Sequence, residues 1–175
     1  MAFTPRLNTD GMSGSRYWYS TTNPYYPNYG LPNCTCYAWC RFWEINNQCG
    51  HDVTPLGMIG NAVDWYNNSV AYQHGMTPKL GAIACFAGGS IGTGHVAVVE
   101  EINANGSIVT SNSDYGGQYF YTMTLNPPYS GGSLIFQGFI YNPYADEPIP
   151  PTPTSTSKRK FPWVLYAKRK RMLKK

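Results

Sequence analysis

The sequence lacks an apolar stretch of about 18 residues, the length that a helix needs to cross a membrane. Its first residues, MAFTPRLNTDGMSG, also lack an apolar run followed by a small-residue cleavage site, so no secretory signal peptide is predicted. We therefore expect a soluble chain without a transmembrane segment, synthesised in the cytoplasm.

Charged residues are scarce, at 13% of the chain, and unevenly placed. Nine of the 13 Lys and Arg residues lie between Lys158 and the C-terminus, where no acidic residue occurs. The preceding 157 residues hold the other four and all nine Asp and Glu residues. The sequence thus predicts an acidic body followed by a strongly cationic tail.

With 175 residues, of which 42% are hydrophobic, the chain has material for one core and little more. We predict a single domain over residues 1–144, with an irregular lead-in over 1–33 that is rich in Tyr, Pro, Asn and Gly. A Pro/Thr/Ser linker over 145–157 and the cationic tail over 158–175 follow.

Helix signals precede strand signals along the domain. A first helix is predicted over Cys34–Asn46 behind Asn33 as cap, and a second over residues 54–68 with Thr54 as cap and Pro55 in its first position. The later runs LGAIACFA, HVAVVEEI, SIVTSNS, YFYTMTL and SLIFQGFIYN are short and β-branched or aromatic. This order predicts an α+β fold in which N-terminal helices pack on an antiparallel sheet.

Three of the five cysteines fall within PNCTCYAWC, which invites a zinc-site interpretation. On a helix Cys34 and Cys36 would point about 200° apart, and no second ligand pair with zinc-site spacing follows. A disulfide between Cys49 and either Cys36 or Cys40 is an alternative that a reducing cytosol disfavours. Cys85 is predicted to be buried in a strand.

A nucleophile fits better, because Cys34 begins a predicted helix whose unpaired N–H groups lower a thiol pKa. The base must be His51, His74 or His95. His51 and His74 lie in polar loop sequence. His95 follows a glycine and begins a predicted strand, which would hold its ring in place.

The base also needs an orienting partner, and the next strand supplies two candidates. If residues 103–106 close a hairpin in which Ile102 faces Ser107, then His95 lies opposite Asp114. In the same register Ala97 lies opposite Asn112. Asn112 and Asp114 share a face with His95, so either could orient its ring. The residues alone leave this choice open.

The motifs NCTCYAWCRFWEI, PKLGAIACF, GHVAVVEEINANGSIVTSNSDYGG and FQGFIYNP together resemble the cysteine, histidine-dependent amidohydrolase/peptidase (CHAP) family, especially its forms in phage endolysins. The resemblance covers about residues 14–143 and implies a papain-like, NlpC/P60-like arrangement. It assigns Cys34 as nucleophile and His95 as base. Many members carry Glu and then Asn where this chain has Asn112 and Asp114.

The resemblance implies a cysteine-dependent peptidoglycan hydrolase, either an N-acetylmuramoyl-L-alanine amidase or an endopeptidase, that leaves the host cytoplasm to act on the wall. It implies no cofactor. Some members bind calcium through aspartates just ahead of the nucleophile, and residues 23–33 of this chain contain no carboxylate. Substrate contacts are predicted for Asn33, Tyr29, Tyr37 and Trp39, with a core position as the alternative for the aromatic side chains.

A virion-associated tail lysin with the same chemistry is an alternative setting. Two further classes remain as alternatives: a CHAP-like wall-binding module without turnover, and a metal-stabilised nucleic-acid protein. The tail is predicted to bind an anionic cell envelope, with nucleic acid or a merely solvated segment as alternatives. We expect no specific nucleic-acid partner and a monomer.

Overall fold

A computed structural model describes residues 3–18 and 20–145. The predicted linker, apart from Ala145, and the whole cationic tail lie outside these residues. The lead-in over 3–33 consists of turns and bends, apart from the undescribed residue 19, and forms no helix or strand within its described part.

Helix α1 spans Cys34–Gln48, two residues beyond its predicted end. Asn33 caps it: the side-chain oxygen accepts from the N–H of Cys36 at 2.8 Å and from the hydroxyl of Thr35 at 2.6 Å. Every residue from Thr35 to Asn46 is buried, so α1 runs through the interior of the domain.

The predicted second helix is wrong over its first half. A 3₁₀ turn over Ala62–Asp64 leads into the single helical turn α2, Trp65–Asn68, and residues 55–61 form no helix. The reason is backbone conformation: Gly57 and Gly60 have φ angles of +69° and +83°, which a right-handed helix does not contain.

The described residues form one six-stranded antiparallel sheet with the order β1-β6-β2-β3-β4-β5. The strands are β1 His74–Gly75, β2 Ile83–Gly88, β3 His95–Ile102, β4 Ile108–Asn112, β5 Tyr121–Leu125 and β6 Leu134–Ile140. The five strands from β2 onward confirm the sequence prediction, whereas the two-residue β1 was not predicted. The domain is therefore α+β, as expected.

Helix α1 packs against one face of the sheet, chiefly against β3. Val96 and Val98 belong to the hydrophobic cluster around α1, whereas Ala97 and Val99 belong to a smaller cluster on the opposite face. This alternation along β3 is the strand period of two. Val96 and Val98 thus face the cluster that also contains the buried side chains of α1.

A buried ionic network joins the same helix and strand. Arg41 on α1 bonds both carboxylate oxygens of Glu100, at 2.8 and 2.9 Å, and also contacts Glu44. The side chains of Arg41 and Glu100 are fully buried. Glu100 occupies a β-bulge in β3, where the register with β4 shifts by one residue, and it also accepts from the hydroxyl of Ser111.

Among the helices that the structure describes, none combines the length and apolarity that crossing a bilayer demands.

Candidate active site

Cys34 is the first residue of α1 and is partly buried. The backbone N–H groups of Val96, Thr35 and Cys34 itself lie near its sulfur and favour the thiolate. Burial outweighs them, so the pKa of Cys34 is raised from its ordinary value. The N–H groups at the helix start thus favour the thiolate as predicted, but burial has the larger effect on the pKa of Cys34.

His95 is the first residue of β3, and its Nε2 lies 3.0 Å from the side-chain oxygen of Asn112. The ring is largely buried, and burial lowers its pKa. The contact with Asn112 and the charge of Asp114 act in the opposite direction. The net effect is a pKa of His95 below its ordinary value, which favours the neutral imidazole.

Asn112 fixes which nitrogen of His95 carries the proton. Its amide nitrogen donates to the carbonyl oxygen of Thr110 at 3.1 Å and to the Thr110 hydroxyl at 3.0 Å. Its oxygen is therefore the atom that faces His95, and Nε2 must be the donor. Nδ1 is left unprotonated and can accept the proton of a thiol.

Asp114 lies beside this pair without bonding the ring. One of its oxygens is 3.9 Å from Nδ1 of His95 and accepts from the hydroxyl of Tyr121 at 2.7 Å. Its charge raises the pKa of both His95 and Cys34. Of the two candidate orienting residues, Asn112 makes the hydrogen bond and Asp114 contributes charge.

The β3–β4 hairpin has the predicted register near the site and a different one near its turn. Val98 pairs with Ser111, the register in which His95 faces Asp114. Beyond the bulge Ile102 pairs with Ile108 and not with Ser107 as predicted. The extra residue of the bulge accounts for this difference.

Two cavities meet at Cys34. The first, the Tyr29 cavity, has a volume of about 590 Å³; the second, the His95 cavity, has about 690 Å³. Both are lined by Cys34, Ile91, Thr93, Gly94 and Tyr115. The four proposed catalytic residues all line the second cavity: Cys34, His95, Asn112 and Asp114. Because the two cavities share these lining residues, Cys34 among them, they are together called the groove.

The predicted substrate contacts divide between groove and core. Tyr29 lines the Tyr29 cavity and is 59% exposed. Asn33 also lines this cavity, but its side-chain oxygen accepts the hydrogen bond that caps α1. Tyr37 and Trp39 are 0% and 4% exposed, so their prediction as groove residues is wrong. Their side chains pack inside the domain because the helix that carries them is buried almost all round.

Three groove residues were missed by sequence reasoning. Ile91 and Tyr115, both more than two thirds exposed, come from the loops before β3 and after β4. Asp64 comes from the 3₁₀ turn. The loop positions next to His95 and Asp114 were the available signal, whereas nothing in the sequence linked Asp64 to the groove.

The remaining histidines and cysteines lie elsewhere. His51 stacks on Tyr144, and His74 contacts Ser69; neither lines the groove. All five cysteines are free thiols, and Cys36, Cys40, Cys49 and Cys85 are buried. Within residues 3–18 and 20–145, no group of three or more His, Cys, Asp and Glu side chains is arranged to hold a metal ion.

The described residues thus form an α+β domain with a groove that is lined by a cysteine, a histidine and an asparagine, Cys34, His95 and Asn112. The CHAP domain family model matches residues 22–114, which is more than half of the chain. The chain belongs to the CHAP domain family.

Similar proteins come from Staphylococcus aureus. A probable autolysin, LDP, is 38% identical over 91 residues, which are 51% of this chain and 30% of that protein. An N-acetylmuramoyl-L-alanine amidase domain-containing protein is 38% identical over 90 residues, 48% of this chain and 14% of the other. The staphylococcal secretory antigen ssaA2 is 44% identical over 59 residues, 33% of this chain and 21% of the antigen. The matched segments thus span less than a third of each relative.

A crystal structure of an N-acetylmuramoyl-L-alanine amidase from Staphylococcus aureus aligns with a TM-score of 0.47 and 30% identity, covering 62% of this chain and 32% of that one.

Proposed function

We propose that this domain is a peptidoglycan hydrolase that cleaves an amide bond with Cys34 as nucleophile and His95 as general base. The observation that carries the proposal is the 3.0 Å contact between His95 and Asn112 in the cavity that Cys34 also lines. The amidase and autolysin names of the S. aureus relatives supply the substrate class.

In this mechanism Nδ1 of His95 takes the proton of Cys34, and the thiolate attacks the carbonyl carbon of the bound amide. The imidazolium, oriented by Asn112, then donates the proton to the leaving nitrogen, and a thioester remains on Cys34. Water, activated by the neutral His95, releases the acid and restores the thiol.

The start of α1 offers hydrogen bonds to the developing oxyanion. The N–H of Cys36 is engaged by the Asn33 side chain, and that of Tyr37 by the Asn33 carbonyl. The N–H groups of Cys34 and Thr35 lie near the sulfur. They become donors to the carbonyl oxygen once the sulfur has bonded to carbon.

The proposal also includes the subtype of the fold, the biological role of the enzyme and the role of its tail. A nucleophile at the start of a buried helix and a base at the start of the adjacent strand fit a papain-like, NlpC/P60-like arrangement. The sequence motifs favour a phage endolysin that leaves the host cytoplasm to reach the wall. The cationic tail, residues 158–175, would retain the enzyme on the anionic envelope.

The proposal is tested by incubating purified Gram-positive cell walls with the parent chain and with Cys34→Ala, and by analysing soluble fragments by mass spectrometry. Parent-specific release of fragments with new amine and carboxyl termini is expected. A new lactyl carboxyl would identify an amidase, and a new peptide terminus an endopeptidase. Binding to walls from every host tried without release of fragments would contradict the proposal and favour a binding module.

The tail has its own test, since removal of residues 158–175 should weaken wall binding at low salt. A truncated chain that binds walls as well as the parent would contradict the role. Weakened binding to DNA and not to walls would favour nucleic acid.

A further inference from the structure

Given that the proposed function holds, the two cavities of the groove can be assigned to the two sides of the cleaved bond. The imidazole that takes the proton of Cys34 must return it to the leaving nitrogen, so that nitrogen has to lie within reach of His95. His95 lines only one of the two cavities that meet at Cys34. The leaving amine therefore occupies the His95 cavity, and the acyl part of the substrate occupies the Tyr29 cavity.

The Tyr29 cavity is acidic. Asp64 is its one carboxylate, and no lysine or arginine lines it. Arg41 pairs with Glu44 and Glu100, and Arg16 pairs with Asp52, so these carboxylates already have a counter-charge. Asp64 has no such ion pair within the described ranges. A cationic ligand group would be the first counter-charge that it meets.

Asp64 is also held in place relative to His95. The adjacent Val63 donates its N–H to the carbonyl oxygen of Thr93 at 2.9 Å, two residues before His95. Val63 in turn accepts from the side chain of Gln137 at 3.2 Å. On the other side Trp65 is fully buried. A carboxylate fixed between two anchored neighbours is preorganised for recognition.

We infer that Asp64 recognises a primary ammonium group on the acyl side of the substrate, so that the bond cleaved is a peptide bond near a free diamino acid residue. Peptidoglycan stem peptides contain a diamino acid, whereas the lactyl group of muramic acid is uncharged when it forms an amide. The inference therefore selects endopeptidase over amidase activity within the proposed function.

The test compares purified walls before and after acetylation of their free primary amines, which removes the positive charge. The parent chain, Asp64→Asn and Asp10→Asn are assayed on both substrates, with mass spectrometry of the released termini. Asparagine at position 64 keeps the oxygen that accepts from the N–H of Asn61, so the turn should persist. Asp10 is an exposed acid outside both cavities and controls for loss of one negative charge.

Acetylation should slow the parent and Asp10→Asn about five-fold, the effect of losing one partly exposed ion pair, and should leave Asp64→Asn nearly unaffected. The new carboxyl termini should lie within peptide. Equal slowing of all three chains, or new lactyl carboxyls, would overturn the inference while leaving wall hydrolysis intact. A parent chain that releases nothing from either wall would instead overturn the proposed function on which the inference rests.

Discussion

Nε2 of His95 donates to the side-chain oxygen of Asn112 across 3.0 Å, and this contact determines that Nδ1 is the basic nitrogen. The Asn112 amide nitrogen donates two hydrogen bonds to Thr110. The side-chain amide therefore cannot flip without losing both of them. The tautomer of the base is thus set by a residue on β4 that need not touch the substrate.

Replacement of Asn112 by alanine should lower kcat/KM about 100-fold, because an unoriented imidazole spends little time in the reactive geometry. Thr110→Val is the matched control. It removes one of the two acceptors that hold the Asn112 amide and keeps the backbone carbonyl, so only a few-fold loss is expected. A folded Asn112→Ala chain with parent activity would show that this contact does not orient the base.

Asp114→Asn should move the acidic limb of the pH–rate profile to lower pH. The Asp114 carboxylate raises the pKa of His95 by stabilising the imidazolium. Without that charge the pKa falls, so the neutral base persists in more acidic solution. Tyr121→Phe keeps the carboxylate and should leave the limb near its original position. A shift to higher pH in Asp114→Asn, or none, would contradict this assignment.

The position of His95 depends on the glycine before it. Gly94 has a φ of +75°, and a Cβ there would lie 2.4 Å from the carbonyl oxygen of Phe86 and 2.7 Å from the nitrogen of Val63. Gly94→Ala should therefore displace the start of β3 and lower both the thermal midpoint and the activity.

The variant Gly92→Ala introduces the same backbone strain as Gly94→Ala but not the steric clash. Gly92 has a similar φ of +72°, but a Cβ there meets nothing within 4 Å. Its replacement should cost about 1 to 2 kcal/mol of unfolding free energy from the left-handed conformation alone. If the two variants unfold and hydrolyse walls alike, close packing around Gly94 is not what positions His95.

The buried network behind the site should dominate stability. Glu100→Gln leaves Arg41 buried without its full counter-charge and should lower the unfolding free energy by about 3 to 5 kcal/mol in denaturant titrations. Asp52→Asn, which breaks a half-exposed pair with Arg16, should lower the unfolding free energy far less. Similar losses for both substitutions would contradict the importance of the buried pair.

The sequence predicted the parts of the site that depend on periodicity and capping. Helix α1 was predicted because Asn33 is a good cap and no glycine or proline interrupts the next 13 residues. The shared face of His95 and Asn112 followed from strand parity, which holds near the site.

The errors arose where tertiary context decides. The pKa of Cys34 depends on how far the helix start is buried, which no local pattern reports. Tyr37 and Trp39 lie in the core because α1 is enclosed on nearly all sides, not on one. The turn that carries Asp64 is joined to Thr93 by the N–H of Val63, a contact between residues 30 positions apart.

The most direct test of the account is the rate of wall hydrolysis by Cys34→Ala beside the parent and Cys85→Ala. Cys85 is a fully buried thiol on β2, outside the groove, and controls for loss of a cysteine. The account predicts that the parent and Cys85→Ala release wall fragments and that folded Cys34→Ala releases none. Release by Cys34→Ala at the parent rate would contradict the assignment of Cys34 as nucleophile.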